Sequence, residues 1–208
     1  MKLTIAKKTK LLAQRGFTLI ELAIVGLFLG LLAIFTVSQF TGGATDTTKA
    51  NGMYAAANKL AENWSLIAMQ CGTTTDIATS PIGDSASPTA NENLAVLMGT
   101  SAPIATYTAC YNQSGVKPLQ GLGVGSATAG FKIHDYPFTA TVTAGRTLNI
   151  AYTGVPANIF QALYSKYSAS ASATPTPAAT ATDSADTQIR YGAQAADGSR
   201  TVTLLKAF

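Results

Sequence analysis

An almost unbroken apolar run near the start of the chain limits what it can fold into more than any other feature. From Phe17 to Phe40, 24 residues contain a single charged side chain, that of Glu21. A helix rises about 1.5 Å per residue, so a helix of this length can cross a hydrocarbon core about 30 Å thick. The sequence therefore predicts a helix over 17–40 that spans a membrane.

The carboxylate of Glu21 is costly inside such a helix. Insertion scales place the cost at about 2.5–3.5 kcal/mol at the helix centre. An acid inside a membrane helix is therefore interpreted by default as a functional residue. No Lys or Arg between Phe17 and Phe40 supplies a cationic partner. Cleavage after Gly16 would create a free amine on Phe17, and a neighbouring copy of the chain could present that amine to Glu21.

A short basic leader ends at Gly16 and is followed by Phe-Thr-Leu-Ile-Glu-Leu, from Phe17 to Leu22, and the apolar run. This arrangement resembles the class III signal of type IV prepilins. The resemblance implies cleavage between Gly16 and Phe17 by a prepilin peptidase, N-methylation of Phe17, and pairing of Glu21 with the amine of an adjacent subunit during assembly. The alternative is an ordinary membrane anchor or an uncleaved signal sequence. A secretory signal carries its cleavage site after the apolar region, whereas the candidate cleavage site here, between Gly16 and Phe17, precedes that region.

The formal net charge of +4 does not describe the chain that would remain after cleavage. Five of the 14 basic residues lie in residues 1–16, which contain no acid, and their loss leaves nine basic residues against ten acids. The mature protein is then nearly neutral, with no basic face for nucleic acid. The leader charges instead fit the rule that positive segments stay in the cytoplasm, so the residues after the anchor are expected outside it.

The two cysteines, Cys71 and Cys110, would then reach a compartment in which disulfides persist. A bridge between them is the expected state, and two buried thiols are the alternative.

Apolar periodicity predicts the remaining architecture. Residues 46–71 carry one apolar stripe at three- and four-residue steps, so a single long helix over 17–71 is expected, followed by a β-sheet domain over 72–208. Residues 115–130 and 168–186 are expected to be loops. The predicted strands are Ile104–Tyr111, Gly130–Ile133, Phe138–Thr143, Thr147–Tyr152, and a final hairpin of Thr187–Gln194 with Arg200–Phe208, and the predicted short helices are Asn91–Met98 and Val155–Tyr167.

The expected fold class is therefore α+β. The resemblance implies a type IV pilin fold, in which a long N-terminal helix packs on an antiparallel sheet with a short second helix. The Val155–Tyr167 segment after a strand is similar to the C-terminal half of type IVb-like pilins. The cysteine that this helix often carries in that group is absent here.

No catalytic constellation can be discerned in the sequence. His134, the single histidine, is expected to be solvated, and no nucleophile–His–acid set is evident, so neither an enzyme nor a cofactor or metal site is predicted. Asp183, Asp186 and Asp197 could gather around calcium, as acids do in the major pseudopilins of type II secretion, but solvated loop acids are the expected reading.

The resemblance thus implies a structural subunit, the major pilin, of a type IV pilus used for adhesion, motility, DNA uptake or conjugation. Its expected partners are further copies of itself in a helical filament, the prepilin peptidase and methyltransferase, and the pilus assembly platform. The subunit would reside in the inner membrane before assembly and in the extracellular filament afterwards. The alternatives are a type II secretion pseudopilin, a minor or tip pilin, and a monomeric membrane-anchored binding domain.

Overall fold

The computed structural model of the chain describes residues 19–119, 123–143, 146–172 and 176–208, with side chains from Thr45 onward. The chain divides into two compact units, Met1–Gly43 and Ala44–Phe208, and the packing described below lies within the second. The helices are α1 (Leu19–Cys71), α2 (Ala90–Met98), α3 (Ala105–Gln113) and α4 (Ala157–Tyr167). The strands are β1 (Val124–Ser126), β2 (Gly130–Ile133), β3 (Tyr136–Thr143), β4 (Thr147–Pro156), β5 (Ile189–Tyr191) and β6 (Ser199–Ala207).

The apolar stripe of α1 is buried as its spacing predicts. Met53, Leu60, Trp64 and Ile67 are all at most 1% exposed. The helix ends after Cys71 because Gly72 takes a left-handed φ of 61°. In that conformation the N–H of Thr73 donates to the Ala68 carbonyl at 3.0 Å and closes the last turn.

Among the residues that the structure describes, no helix is long and apolar enough to cross a membrane. Of the predicted membrane-spanning segment 17–40, only the backbone from residue 19 is described, and its side chains lie outside the described residues.

One six-stranded antiparallel sheet, in the order β1-β2-β3-β4-β6-β5, carries the core. In the register of β4 with β6, Ile150 lies opposite Leu204 and Tyr152 opposite Val202, and all four side chains are buried. The Tyr152 hydroxyl donates to the Met53 carbonyl of α1 at 3.1 Å, which joins helix to sheet. The expected α+β class, with a helix packed on an antiparallel sheet, is confirmed.

Two local predictions are wrong. Ile104–Tyr111 was expected to be a strand, but Ala105–Gln113 is the helix α3. Its β-branched and aromatic residues favour a strand only weakly, because β propensity depends on the tertiary setting. Residues 115–130, expected to be loop, contain the short edge strand β1. With α3, three short helices instead of the two predicted follow α1 in the described part of the chain.

Candidate functional site

The residues predicted to direct processing and assembly fall mostly outside what the structure describes. Gly16 and Phe17 are not among the described residues, and Glu21 lies within α1 with its side chain undescribed. The placement of these groups lies outside the described residues, and their roles remain predictions.

The predicted disulfide between Cys71 and Cys110 is present. It joins the last residue of α1 to α3 with a Cα–Cα distance of 5.1 Å and a sequence separation of 39. Two cysteines 39 residues apart meet because the intervening segment folds back on α1. The alternative of two buried thiols is excluded.

Asn93 organises the segment that the disulfide encloses. Its side chain is fully buried, and its Nδ2 donates to the carbonyls of Ile77 and Ser80, each at 2.8 Å. The Oδ1 accepts from the N–H of Gly83 at 2.9 Å. One amide on α2 thus replaces the regular hydrogen bonding that residues 77–83 lack, and it fixes the connection between α1 and the sheet.

A groove of about 740 Å³ runs between α1 and the end of β6, and we call it the Lys206 groove. Its walls combine the polar edge of α1 with the last residues of β6 and the segment before β5. The lining residues are Tyr54, Asn58, Ala61, Glu62, Ser65, Leu66, Thr187, Gln188, Leu205, Lys206, Ala207 and Phe208.

Lys206 gives this groove its electrostatic character. Its Nζ lies 3.2 Å from the centroid of the Tyr54 ring, which in turn stacks on Tyr167 at a centroid distance of 3.6 Å. Burial lowers the pKa of Lys206 to about 8. Glu62 lines the same groove, but its carboxylate pairs with Lys59 at 2.9 Å. Within the described ranges no carboxylate lies within ion-pair distance of the Lys206 ammonium.

The three acids considered for calcium serve the backbone instead. Asp183 Oδ1 accepts from the N–H of Ala185, Asp186 Oδ1 accepts from those of Gln188 and Ile189, and Asp197 Oδ1 accepts from that of Ser199. In the part of the chain that the structure covers, no three His, Cys, Asp or Glu residues are grouped to hold a metal ion.

His134 is exposed, on the two-residue turn between β2 and β3. Its imidazole lies against Gly52 of α1, where a Cβ on residue 52 would overlap the ring. This contact places the β2–β3 turn beside α1.

Arg200 and Lys206 are buried cations that are not among the predicted site residues. Arg200 is 4% exposed and donates to the carbonyls of Ala178, Ala181 and Gly192. A signal was present in the sequence, since Arg200, Val202, Leu204 and Lys206 alternate along one strand. A period of two sends both cations to the same face as the two apolar residues between them.

No protein-family model, curated protein or solved structure matches this chain. Its function is therefore inferred from its own residues.

Proposed function

We propose that this chain is the major structural subunit of a type IV pilus, made as a precursor in the inner membrane and assembled into a helical filament on the cell surface. It acts by self-association and not by catalysis. Its partners are other copies of itself, a prepilin peptidase and methyltransferase, and the pilus assembly platform.

The observation that carries the proposal is the run from Arg15 to Leu22. It places a glycine before Phe17 and a single acid, Glu21, four residues after it. Two coarser features agree with it: a helix packed on an antiparallel sheet, and a disulfide suited to an extracytoplasmic compartment.

The chemistry of assembly follows from the lone acid. Apolar faces from many copies bury one another at about 1.5–3 kcal/mol per large side chain, which makes departure from lipid tolerable. The Phe17 amine of one copy neutralises Glu21 of the next. Removing one partner of a buried ion pair typically costs about 3–5 kcal/mol, so this pair sets the register of the subunits.

Mass analysis of the N-terminus, on protein from its native host, tests the first step. The expected mature chain begins at Phe17 and carries one added methyl group. Retention of Met1 contradicts the proposal and leaves a tethered domain.

Glu21→Ala tests the second step. The variant is expected to be cleaved and to accumulate in the membrane, yet to be missing from sheared filaments. Glu92→Ala, which removes an acid of α2 outside the Lys206 groove, is the control and should assemble normally. Normal piliation by Glu21→Ala would overturn the register argument.

Two measurements separate the related functions. Counting copies along sheared filaments distinguishes a major subunit from a minor or tip subunit. Deletion that blocks protein secretion without removing surface filaments would assign the chain to a type II secretion pseudopilus instead.

A further inference from the structure

We infer that the Lys206 groove of one subunit receives the β2–β3 turn of a second copy, with Asp135 of that copy against the Lys206 ammonium. This inference rests on the proposed function, because it names the surface through which the folded domains of neighbouring subunits meet.

Among the described residues, no carboxylate of the groove lies within ion-pair distance of the Lys206 ammonium. Lys206 is only 8% exposed, and its described contact there is the face of Tyr54. A cation removed from water without a carboxylate partner carries a desolvation cost that an incoming acid would offset. Leu66 of α1, which lines the groove, is 46% exposed. The surface therefore combines the unpaired ammonium of Lys206 with polar and apolar side chains.

The β2–β3 turn supplies a complementary shape. Ile133 pairs with Tyr136, so only His134 and Asp135 connect the strands, and both take left-handed φ values of 49° and 71°. Consecutive left-handed residues make the tightest kind of hairpin loop, which has a narrow tip. Asp135 is exposed at this tip.

Asp135 is also a carboxylate that the described part of the fold does not engage in a hydrogen bond or ion pair. Other turn acids are occupied within their own loops. Asp84 Oδ1 accepts from the N–H of Ala86 at 2.8 Å, and Asp76 Oδ1 accepts from that of Ala78 at 3.0 Å. The acid at the β2–β3 tip thus matches the unpaired cation in the groove.

The positions of the β2–β3 turn and the Lys206 groove allow the same contact to repeat from one subunit to the next. In the sheet, β2 and β3 lie on one side of β4 and β6 lies on the other. The turn touches α1 at Gly52 and Lys206 touches it at Tyr54, so the two sites differ by about 3 Å along the helix axis. Contact between two different patches of one chain is heterologous, and it propagates into a ring or a helical filament instead of closing a dimer.

Cross-linking tests the contact directly. Cells would produce two versions of the full chain, one with Lys206→Cys and one with Asp135→Cys, and sheared filaments would be oxidised. The expected product is a covalent dimer across subunits that neither version forms alone. Glu92→Cys, an acid of α2 on the same side of β4 as the turn, replaces Asp135→Cys as the control and should give no dimer.

Charge reversal tests the energetics. Lys206→Asp and Asp135→Lys should each lower filament yield at least tenfold while the membrane pool of subunit is unchanged, and the double variant should recover most of the yield. Asp135→Asn keeps a residue that tolerates left-handed φ, so it separates charge loss from strain in the turn. It should lower the yield in the same direction.

The outcomes distinguish the two proposals. Filaments that contain the chain but give no Lys206→Cys/Asp135→Cys dimer overturn the contact and leave the pilin function intact. Single reversals that assemble at wild-type yield do the same. If no filament contains the wild-type chain, the proposed function fails, and this inference fails with it.

Discussion

The indole Nε1 of Trp64 donates to the backbone carbonyl of Thr75 at 2.7 Å. Trp64 is on α1, and Thr75 lies within the segment closed by the Cys71–Cys110 bridge. Because Trp64 is the single tryptophan of the chain, its fluorescence reports whether this segment remains docked on the helix.

Replacing both cysteines, as Cys71→Ser with Cys110→Ser, should lower the free energy of unfolding by about 2–4 kcal/mol. The bridge restricts the unfolded chain by closing a loop with a separation of 39 residues. Urea unfolding of the detergent-solubilised full chain, followed by Trp64 fluorescence, measures the change. The reduced wild-type chain is the control and should unfold at the same urea concentration as the double variant. An unchanged midpoint would show that the bridge contributes no stability.

Asn93→Ala should destabilise the domain by about 2–4 kcal/mol, because it leaves the buried carbonyls of Ile77 and Ser80 without donors. Asn91→Ala is the matched control on the same helix, since its Nδ2 makes one partly buried bond to the Ala127 carbonyl at 3.2 Å. We expect the control to lose about 1 kcal/mol or less. Equal losses in the two variants would contradict the organising role of Asn93.

Asp186 should contribute stability that is lost in acid. Burial would raise the pKa of its carboxyl, but hydrogen bonds from the N–H groups of Ile189 and Gln188 and from the Ser168 hydroxyl outweigh it, so the pKa falls below 3.8. A pKa lowered by folding stabilises the protein above the unfolded value, and that stability disappears as the pH falls through the folded value.

The variant Asp186→Asn should therefore lower the free energy of unfolding by about 1–3 kcal/mol at pH 7, with a flatter pH dependence below about pH 4 than the wild type. Urea titrations between pH 3 and pH 7 measure both effects. Asp84→Asn, in an exposed turn, should shift stability by about 0.5 kcal/mol or less. A wild-type pH profile in the Asp186→Asn variant would contradict the assignment.

The charged form of Lys206 should destabilise the folded protein, unlike the charged form of Asp186. Burial lowers its pKa from 10.5 to about 8, so between these values the folded chain has released a proton that the unfolded chain still binds. The free energy of unfolding then rises as the pH increases from 7 to 9.5. The gain should be about 1 kcal/mol, since solvent in the open groove and the Tyr54 ring both moderate the cost of the charge.

The variant Lys206→Met should abolish this rise and be at least as stable as the wild type at pH 7. Measurements stop at pH 9.5 because burial raises the pKa of Tyr54 and Tyr111, whose ionisation would destabilise the folded state at higher pH. If the free energy of unfolding varied with pH in the same way for Lys206→Met and the wild type, burial of the ammonium would have no desolvation cost.

The elements that the sequence predicts well are those with a clear period over a buried face. The stripe through Met53, Leu60 and Trp64 predicts the packed part of α1, and alternation predicts β4 and β6. The prediction for the α3 segment is wrong because the secondary structure of a short segment of mixed propensity is set by its tertiary contacts. Here those contacts include the disulfide at Cys110. The Lys206 groove could not be predicted, since it depends on how Tyr54 and a strand 150 residues later approach each other.

The predicted loop 168–186 shows a second limit. Its small polar residues have little apolar surface to bury, and the prediction of a surface loop follows from that composition. Long-range hydrogen bonds nonetheless hold the described part of the loop. The Ser168 hydroxyl donates to the Asp186 carboxylate, and the Arg200 guanidinium donates to the carbonyls of Ala178 and Ala181. These partners lie too far apart in sequence for composition to reveal them.

The guanidinium of Arg200 holds that tract through main-chain oxygens, at Ala178 and Ala181, and rests on the rings of Phe160 and Tyr191. Every residue carries a backbone carbonyl, so these hydrogen bonds do not depend on which side chains the tract displays. Exposed side chains of this tract can therefore be substituted without removing the hydrogen bonds that Arg200 makes to its backbone. In the proposed filament, the side chains that this tract displays could therefore vary while the packing of the domain beneath them is kept.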